Sequence, residues 1–399
     1  MNRRIVMNVS TSADWCRRPV GIVRVEREVT KAVFNHFGSS VVPVYLDKGV
    51  NQWRTVDQDC FADIMSDAWV HSEDPVNDAA RVHKHLSRFS PNDDDTFVTV
   101  GSDWSFQVPD LVEKIYGSQR VMVAALYDLI PLMFPEFTPG HEFYDQFNHH
   151  YTRLARLAKS IFSISETSAR TLHDFWRENE LLQDSPPIKV VPLAAPVQAD
   201  LSRDIDEYDQ IHLTDIEKNG PFILYVSTIE PRKNHQLLID IWRDLYAERG
   251  ANCPKLVMVG MQGWGSHDLV MTASRMNAFK AGKIAFKEGM SDRLLVELYR
   301  RSLFTVFPSY FEGWGLAATE AASFGKICIV SNTSALAEAT QGIMPSYHPL
   351  DFPGWKAEIE KLLDNPAYKK RLERKISSGS FKRNWRDFGN EFCERVLGD

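Results

Sequence analysis

Short apolar runs, each followed by a helical pattern, recur along this chain, and that alternation limits its fold more than any other feature. In the second half the runs are FILYVS (222–227), KLVMVG (255–260), KIAF (283–286), FTVF (304–307) and KICIVS (326–331). In the first half they are RRIVMNVS (3–10), SSVVPVYL (39–46), TFVTVG (96–101), VMVAALY (121–127), SIFSIS (160–165) and IKVVPLAAP (188–196). Runs this short and this apolar, separated by helices, predict parallel strands covered on both faces. With 399 residues the chain is long enough for two such α/β domains.

The stretch 304–325, FTVFPSYFEGWGLAATEAASFG, is the richest in chemistry. Phe304 to Phe307 read as the end of a buried strand, and Pro308 and Ser309 stop it. Gly313 and Gly315 suit a tight turn that lets another backbone or a phosphate come close. A helix then starts near Leu316 and stops at Gly325. Strand, glycine loop and helix N-terminus together make an anion site, because free amides and the helix dipole point at the loop. Glu312 and Glu320 frame the unit with seven residues between them, and a carboxylate aimed into such a pocket accepts from sugar hydroxyls.

This segment resembles the Glu-x7-Glu signature of the retaining GT-B glycosyltransferases, specifically glycosyltransferase family four. The resemblance implies two doubly wound Rossmann-like domains facing across a cleft, with Glu312 on the transferred sugar and Glu320 on the nucleotide ribose. EPRKN (230–234) looks like the family's basic loop, so Arg232 and Lys233 are expected to bind the donor diphosphate. Gly313, Gly315 and Leu316 join the donor set, and Gly21, ahead of a helix with Val25, Val29 and Val33 on one face, resembles the first glycine-rich loop. Arg24 follows as a contact for an anion or a solvated helix residue. The segment Lys287 to Met290 is expected near the base, and the Ser331 to Ala335 loop on the donor side carries no residue that stands out chemically. In YDLIP, Tyr127 stands where the family often has histidine, and Asp128 at the strand's carboxyl end either orients the acceptor hydroxyl or caps the next turn.

The expected organisation is an acceptor-binding domain over 1–195, a connector over 196–219 without steady periodicity, and a nucleotide-sugar domain over 220–381. The last helix, about 382–399, is expected to pack back on the first domain. Residues 49–95 suggest acid-rich helical pieces, and Asp93 to Asp95 read as a solvated turn.

Composition excludes several classes. Residues 1–200 hold 20 Lys+Arg against 27 Asp+Glu, and the remainder holds 26 of each, so neither half reads as a nucleic-acid binder. No run of about 18 apolar residues suggests a membrane span, and the start is too weakly apolar for a signal peptide. Five scattered cysteines without metal spacing read as reduced thiols, which fits the cytoplasm. The basic cluster Lys369, Lys370, Arg371, Arg374 and Lys375 is a solvated helix face or a peripheral contact with the cytoplasmic face of the inner membrane.

The implied reaction is metal-independent and cofactor-free transfer of a sugar, with retention, from a nucleotide-sugar donor to a hydroxyl of a glycan or lipid-linked glycan. The EPRKN and YDLIP segments look most like bacterial mannosyl- or rhamnosyltransferases of surface polysaccharide assembly, with GDP-mannose slightly favoured as donor. A nucleotide-sugar epimerase of the same fold and a non-catalytic nucleotide-sugar-binding protein are the alternatives. No GxGxxG follows a candidate strand, which argues against a dinucleotide oxidoreductase.

Overall fold

The computed structural model describes residues 4–15, 21–66, 69, 81–138, 140–194, 205–218, 220–377 and 381–398. Residues 16–20 of the loop before Gly21, with Cys16, residue 195, and residues 196–204 and 219 of the expected connector lie outside this set. The chain divides into two units, residues 1–193 with 385–399, and residues 194–384.

The first unit is built on an eight-stranded sheet. Its strands are β1 (Arg4–Asn8), β2 (Val41–Asp47), β3 (Gln52–Val56), β4 (Leu86–Arg88), β5 (Asp95–Thr99), β6 (Met122–Leu126), β7 (Ala158–Ser163) and β8 (Ile188–Val190). They run in the order β4-β3-β2-β1-β5-β6-β7-β8, parallel from β2 to β8. β3 and β4 add an antiparallel edge. The register sets Ile5 beside Val41 and Thr96, and Val123 beside Val98 and Ser160. Phe97, Met122, Leu126, Tyr151 and Trp176 are buried in one core under the Val108–Tyr116, His141–Leu157 and Glu166–Glu178 helices. The Trp385–Phe392 helix closes this unit: Phe388 and Phe392 pack on Phe162, and a Cβ on Gly389 would stand 2.4 Å from the Ala32 Cβ.

The second unit carries β9 (Phe222–Val226), β10 (Lys255–Val259), β11 (Ile284–Lys287), β12 (Thr305–Phe307), β13 (Cys328–Ser331) and β14 (Ser346–Tyr347). All are parallel, in the order β11-β10-β9-β12-β13-β14. Leu224, Met258, Val306 and Ile329 are wholly or almost wholly buried, as expected of strands covered on both faces. The fold is therefore α/β with two parallel-sheet, Rossmann-like domains.

Three expectations change. Residues 49–95 contain the strands β3 and β4 as well as the Gln58–Met65 helix, because a hairpin off β2 extends the sheet edge. Asp93 and Asp94 are exposed, but Asp95 opens β5 and is buried. It holds the Arg4 guanidinium through two hydrogen bonds of 2.6 and 2.8 Å and accepts from Tyr116 at 2.6 Å. The latter half of the expected connector is a helix, Glu207–Glu217. Asp206 caps it by accepting from Asp209 N–H at 2.7 Å, and Leu213 and Ile216 bury into the second core. Its two apolar anchors sit among so many acids that the sequence shows little periodicity. Among the described residues no helix is long and apolar enough to cross a membrane.

Candidate functional site

The order of the second sheet changes direction between β9 and β12, since β10 and β11 lie to one side and β13 and β14 to the other. An open α/β sheet leaves a crevice at the carboxyl edge of such a switch point. Two loops emerge there. The β9 loop carries Glu230 to Asn234, and the β12 loop carries Pro308 to Gly315.

Backbone contacts lock the two loops together. Tyr310 N–H donates to Arg232 O at 2.9 Å. Asn234 adopts a left-handed conformation, φ 56°, at the start of the His235–Arg249 helix, and its amide nitrogen donates to Pro349 O at 2.8 Å. Tyr225 donates its hydroxyl to Lys233 O at 2.6 Å. Thr333 in the loop after β13 donates to Tyr310 O at 2.7 Å, and Ala335 N–H to Glu312 O at 3.3 Å.

The charged side chains converge within this frame. Lys233 Nζ lies 2.6 Å and Arg232 Nη1 3.0 Å from the same Glu312 oxygen, Oε1. Arg232 also donates to Phe311 O at 2.7 Å and to Glu230 Oε1 at 2.8 Å. Their side chains are only 10–15 % exposed. Burial pushes the Glu312 carboxyl up, but the Arg232 and Lys233 cations outweigh it and hold the group at about 2. Burial, then the neighbouring Arg232 cation, drives Lys233 below its ordinary value. Beside them His235 is buried, with Nε2 3.2 Å from Ser227 Oγ, and burial with the Lys233 charge lowers it to about 3, so it is neutral at physiological pH.

The glycine loop delivers Glu312 to this cluster and starts the next helix. Gly315 has φ +109°, a region that favours glycine, and a Cβ there would stand 2.4 Å from Leu336 Cδ2. Gly313 lies in the bend between Glu312 and Trp314. Leu316 opens the eight-residue helix Leu316–Ser323, whose N-terminus carries no side-chain cap. Ala318 N–H donates to Gly315 O at 3.1 Å, and the positive end of the helix dipole at Leu316 favours a negative group beside the loop. Gly325, φ +71°, ends it, with Lys326 N–H donating back to Ala321 O at 2.9 Å.

Glu320 lies on that helix, buried, and its Oε2 accepts from the Tyr299 hydroxyl at 2.9 Å. Tyr299 in turn stacks on Phe324 at 5.5 Å. The second unit thus brings Arg232, Lys233 and Glu312 into direct contact and places Gly313, Gly315, Leu316 and Glu320 along one loop and helix. Lys287, expected near the base, pairs with Asp215 at 2.6 Å.

Gly21 and Asp128 belong to the first unit. Gly21 opens the Gly21–Phe37 helix with φ +50°. Asp128 follows β6, half-buried, and its Oδ1 accepts from Ile130 N–H at 3.0 Å, so it does cap the next turn. Tyr127 is buried and donates its hydroxyl to Val100 O, which makes it a brace between loops.

Sequence reasoning missed Tyr299, Asn234 and Thr333. Tyr299 reads as one more apolar position of an amphipathic helix. Asn234 carried a usable signal, since asparagine is among the few residues that tolerate the left-handed region ahead of a helix. Thr333 acts through a contact 23 residues away in sequence, which no local pattern reveals. Among the described residues no three His, Cys, Asp or Glu side chains come together as metal ligands.

Residues 206–377 match the family model described as Glycosyl transferases group 1. Over 267 residues the chain is 26% identical to the serotype-specific mannosyltransferase WbdA of Escherichia coli, covering 66% of this chain and 32% of that protein. It is 30% identical over 148 residues to O-antigen chain mannosyltransferase B of Escherichia coli, covering 37% of this chain and 38% of that one. The chain spans about a third of the length of the first curated relatives it matches. Among solved structures, one described as trehalose-6-phosphate from E. coli bound with UDP-2-fluoro glucose superposes with a TM-score of 0.64 at 12% identity over 98% of both chains. Anabaena Alr3699/HepE in complex with UDP superposes with a TM-score of 0.62 at 13% identity over 99% of both. At such low identity these two neighbours speak to the fold. Residues 206–377 are therefore a glycosyl transferases group 1 domain, and the chain as a whole is similar to glycosyltransferases of that group in sequence and to GT-B proteins in fold.

Proposed function

We propose that this protein is a retaining glycosyltransferase that moves a hexose from a nucleoside-diphosphate sugar to a hydroxyl of a glycan or lipid-linked glycan. The observation that carries the reading is the Arg232–Lys233–Glu312 cluster at the β9/β12 switch point, beside the uncapped N-terminus of the Leu316–Ser323 helix. Two largely buried cations and a helix dipole are the groups that hold a diphosphate and stabilise charge that builds on it as it leaves. Glu312 takes a hydroxyl of the transferred sugar, and Glu320, set by Tyr299, takes the ribose.

In the proposed step the bond from the anomeric carbon to the diphosphate oxygen breaks. A bond to the acceptor oxygen forms on the same face. The acceptor proton passes to the departing diphosphate oxygen or to Asp128. Gly21 is assigned to donor binding as well. GDP-mannose is the favoured donor, supported by the likeness to two mannosyltransferases, one of them named for O-antigen chains. Surface polysaccharide assembly at the cytoplasmic face of the membrane is the corresponding setting.

Thermal-shift measurements with UDP, GDP, dTDP and ADP test the reading. A nucleotide at a hundred times its Kd adds about 2.7 kcal/mol, which raises Tm by roughly 5–10 °C for a domain of this size. The nucleotide that does so identifies the donor for turnover assays. No shift with any of the four at millimolar concentration, or an undiminished shift in Lys233→Ala, refutes the assignment.

A further inference from the structure

The strand order of the first sheet also changes direction, between β1 and β5. A buried polar network occupies its carboxyl edge. Asn8, at the end of β1, donates to Thr99 Oγ1 at 2.9 Å, and Thr99 donates to Asp103 Oδ1 at 2.6 Å. Glu26 enters from the Gly21–Phe37 helix and is wholly buried, and its Oε1 accepts Ser12 N–H at 2.6 Å. Its other oxygen lies beside Thr11, whose hydroxyl accepts Ser102 N–H at 2.9 Å. Gly101 makes the room: a Cβ there would stand 2.2 Å from Glu26 Oε2 and 2.1 Å from Thr11 Oγ1. From the other side Tyr127 donates to Val100 O, and Ser168 Oγ holds Tyr127 O at 2.8 Å. Glu26 therefore holds the loop after β1 through Ser12 N–H, Thr11 beside it links that loop to Ser102 in the loop after β5, and Tyr127 ties the Asp128 loop to Val100.

We propose that Glu26 is a positioning residue for the acceptor side of the transfer, fixing the loops after β1 and β5 against the loop that carries Asp128. The acceptor role rests on the function proposed above; the loop anchoring rests on the contacts of Glu26 with Ser12 and Thr11, and of Thr11 with Ser102. A buried carboxyl that accepts the amide of one loop and packs against the next is costly to desolvate, so its hydrogen bonds fix both segments in place. The titratable groups facing it are Asp14 and Asp103, with Tyr127. Burial pushes Glu26 to about 7, and burial with the nearby Glu26 pushes Asp103 to about 8. The folded state thus favours neutral Glu26, and the anchoring weakens as pH rises through about 7.

Hydrogen exchange on the full chain, corrected for intrinsic rates, compares wild type, Glu26→Ala and Glu26→Gln at pH 6 and 7.5. Glu26→Ala should speed exchange tenfold or more in segments 10–13 and 100–103 while leaving 225–235 unchanged. Glu26→Gln keeps an acceptor for Ser12 N–H, so it should stay within about threefold of wild type at pH 6 and lose the rise toward pH 7.5. With GDP-mannose as donor and methyl α-mannoside as acceptor probe, Glu26→Ala should raise the acceptor KM tenfold or more with GDP affinity changed less than twofold. Wild-type exchange in Glu26→Ala, or a pH response in Glu26→Gln equal to wild type, overturns the proposal. So does GDP affinity that falls in step with the acceptor KM. If Glu26→Ala does not fold, the pH response of Glu26→Gln decides. Wild-type protein that turns over no sugar nucleotide refutes the transferase reading instead, and the exchange data still decide the anchoring.

Discussion

Glu312→Gln separates the two jobs assigned to the charged cluster. In the wild type one carboxylate oxygen serves Lys233 at 2.6 Å and Arg232 at 3.0 Å, all three side chains at most 15 % exposed. Removing one partner of a buried ion pair costs about 3–5 kcal/mol. Gln keeps one acceptor, and Arg232 keeps Glu230 at 2.8 Å, so the lower end applies. The fall of the Glu312 carboxyl from 4.5 to about 2 corresponds independently to roughly 3 kcal/mol. At about 2–4 °C per kcal/mol, Tm should drop by roughly 6–12 °C. Binding of the bare nucleoside diphosphate should move the other way. A carboxylate about 6 Å from a phosphate, at an effective dielectric near 20, repels it by roughly 3 kcal/mol per charge. The neutral amide removes that repulsion and frees both cations, so GDP should bind tenfold or more tighter by calorimetry while turnover falls. Differential scanning fluorimetry with and without GDP reads both effects in one experiment. A variant as stable as wild type, or one that binds GDP more weakly, refutes the view that Glu312 holds two diphosphate-binding cations in reserve.

Three further outcomes follow from the same geometry. Glu320→Ala should weaken nucleotide binding, and Tyr299→Phe, which removes the 2.9 Å donor from the buried carboxylate, should weaken it less, at a stability cost of about 1–3 kcal/mol; titration of GDP into both variants checks the order, and unchanged affinity in Glu320→Ala removes the ribose role. Asp128→Asn keeps an oxygen for Ile130 N–H, so folding and donor binding should persist while transfer falls by about a hundredfold to ten-thousandfold if Asp128 takes the acceptor proton; equal loss of donor hydrolysis by water would assign Asp128 to the donor or the fold. The stabilisation from Glu312 is complete above about 4.5 and is lost as pH falls toward about 2, so the Tm gap between wild type and Glu312→Gln should close over that window, and a gap that persists at the lowest pH contradicts the ion-pair account.

The sequence by itself determined the parallel α/β layers, because strands buried on both faces must be short apolar runs and crossover helices must separate them. It also located the Glu312–Glu320 segment and the Arg232–Lys233 loop, since glycine and proline mark a strand-to-helix turn locally. Ser165 and Ser291 cap their helices in the structure, where each accepts the amide three residues on. The β3–β4 edge and the helix at Glu207–Glu217 escaped notice, because each has too few apolar positions to show a period. Tertiary structure alone decided which groups meet. Arg232 and Lys233 reach Glu312 from about 79 positions away only because β9 and β12 are neighbours at the switch point. It also decided that Asp95 is an ion-pair partner of Arg4 across 91 positions, and that Glu26, one charge on an ordinary helix in the sequence, lies fully buried between two loops. Charges and hydroxyls carry no periodic signature. Their partners and their proton affinity come from burial and from neighbours that the fold supplies from distant parts of the chain.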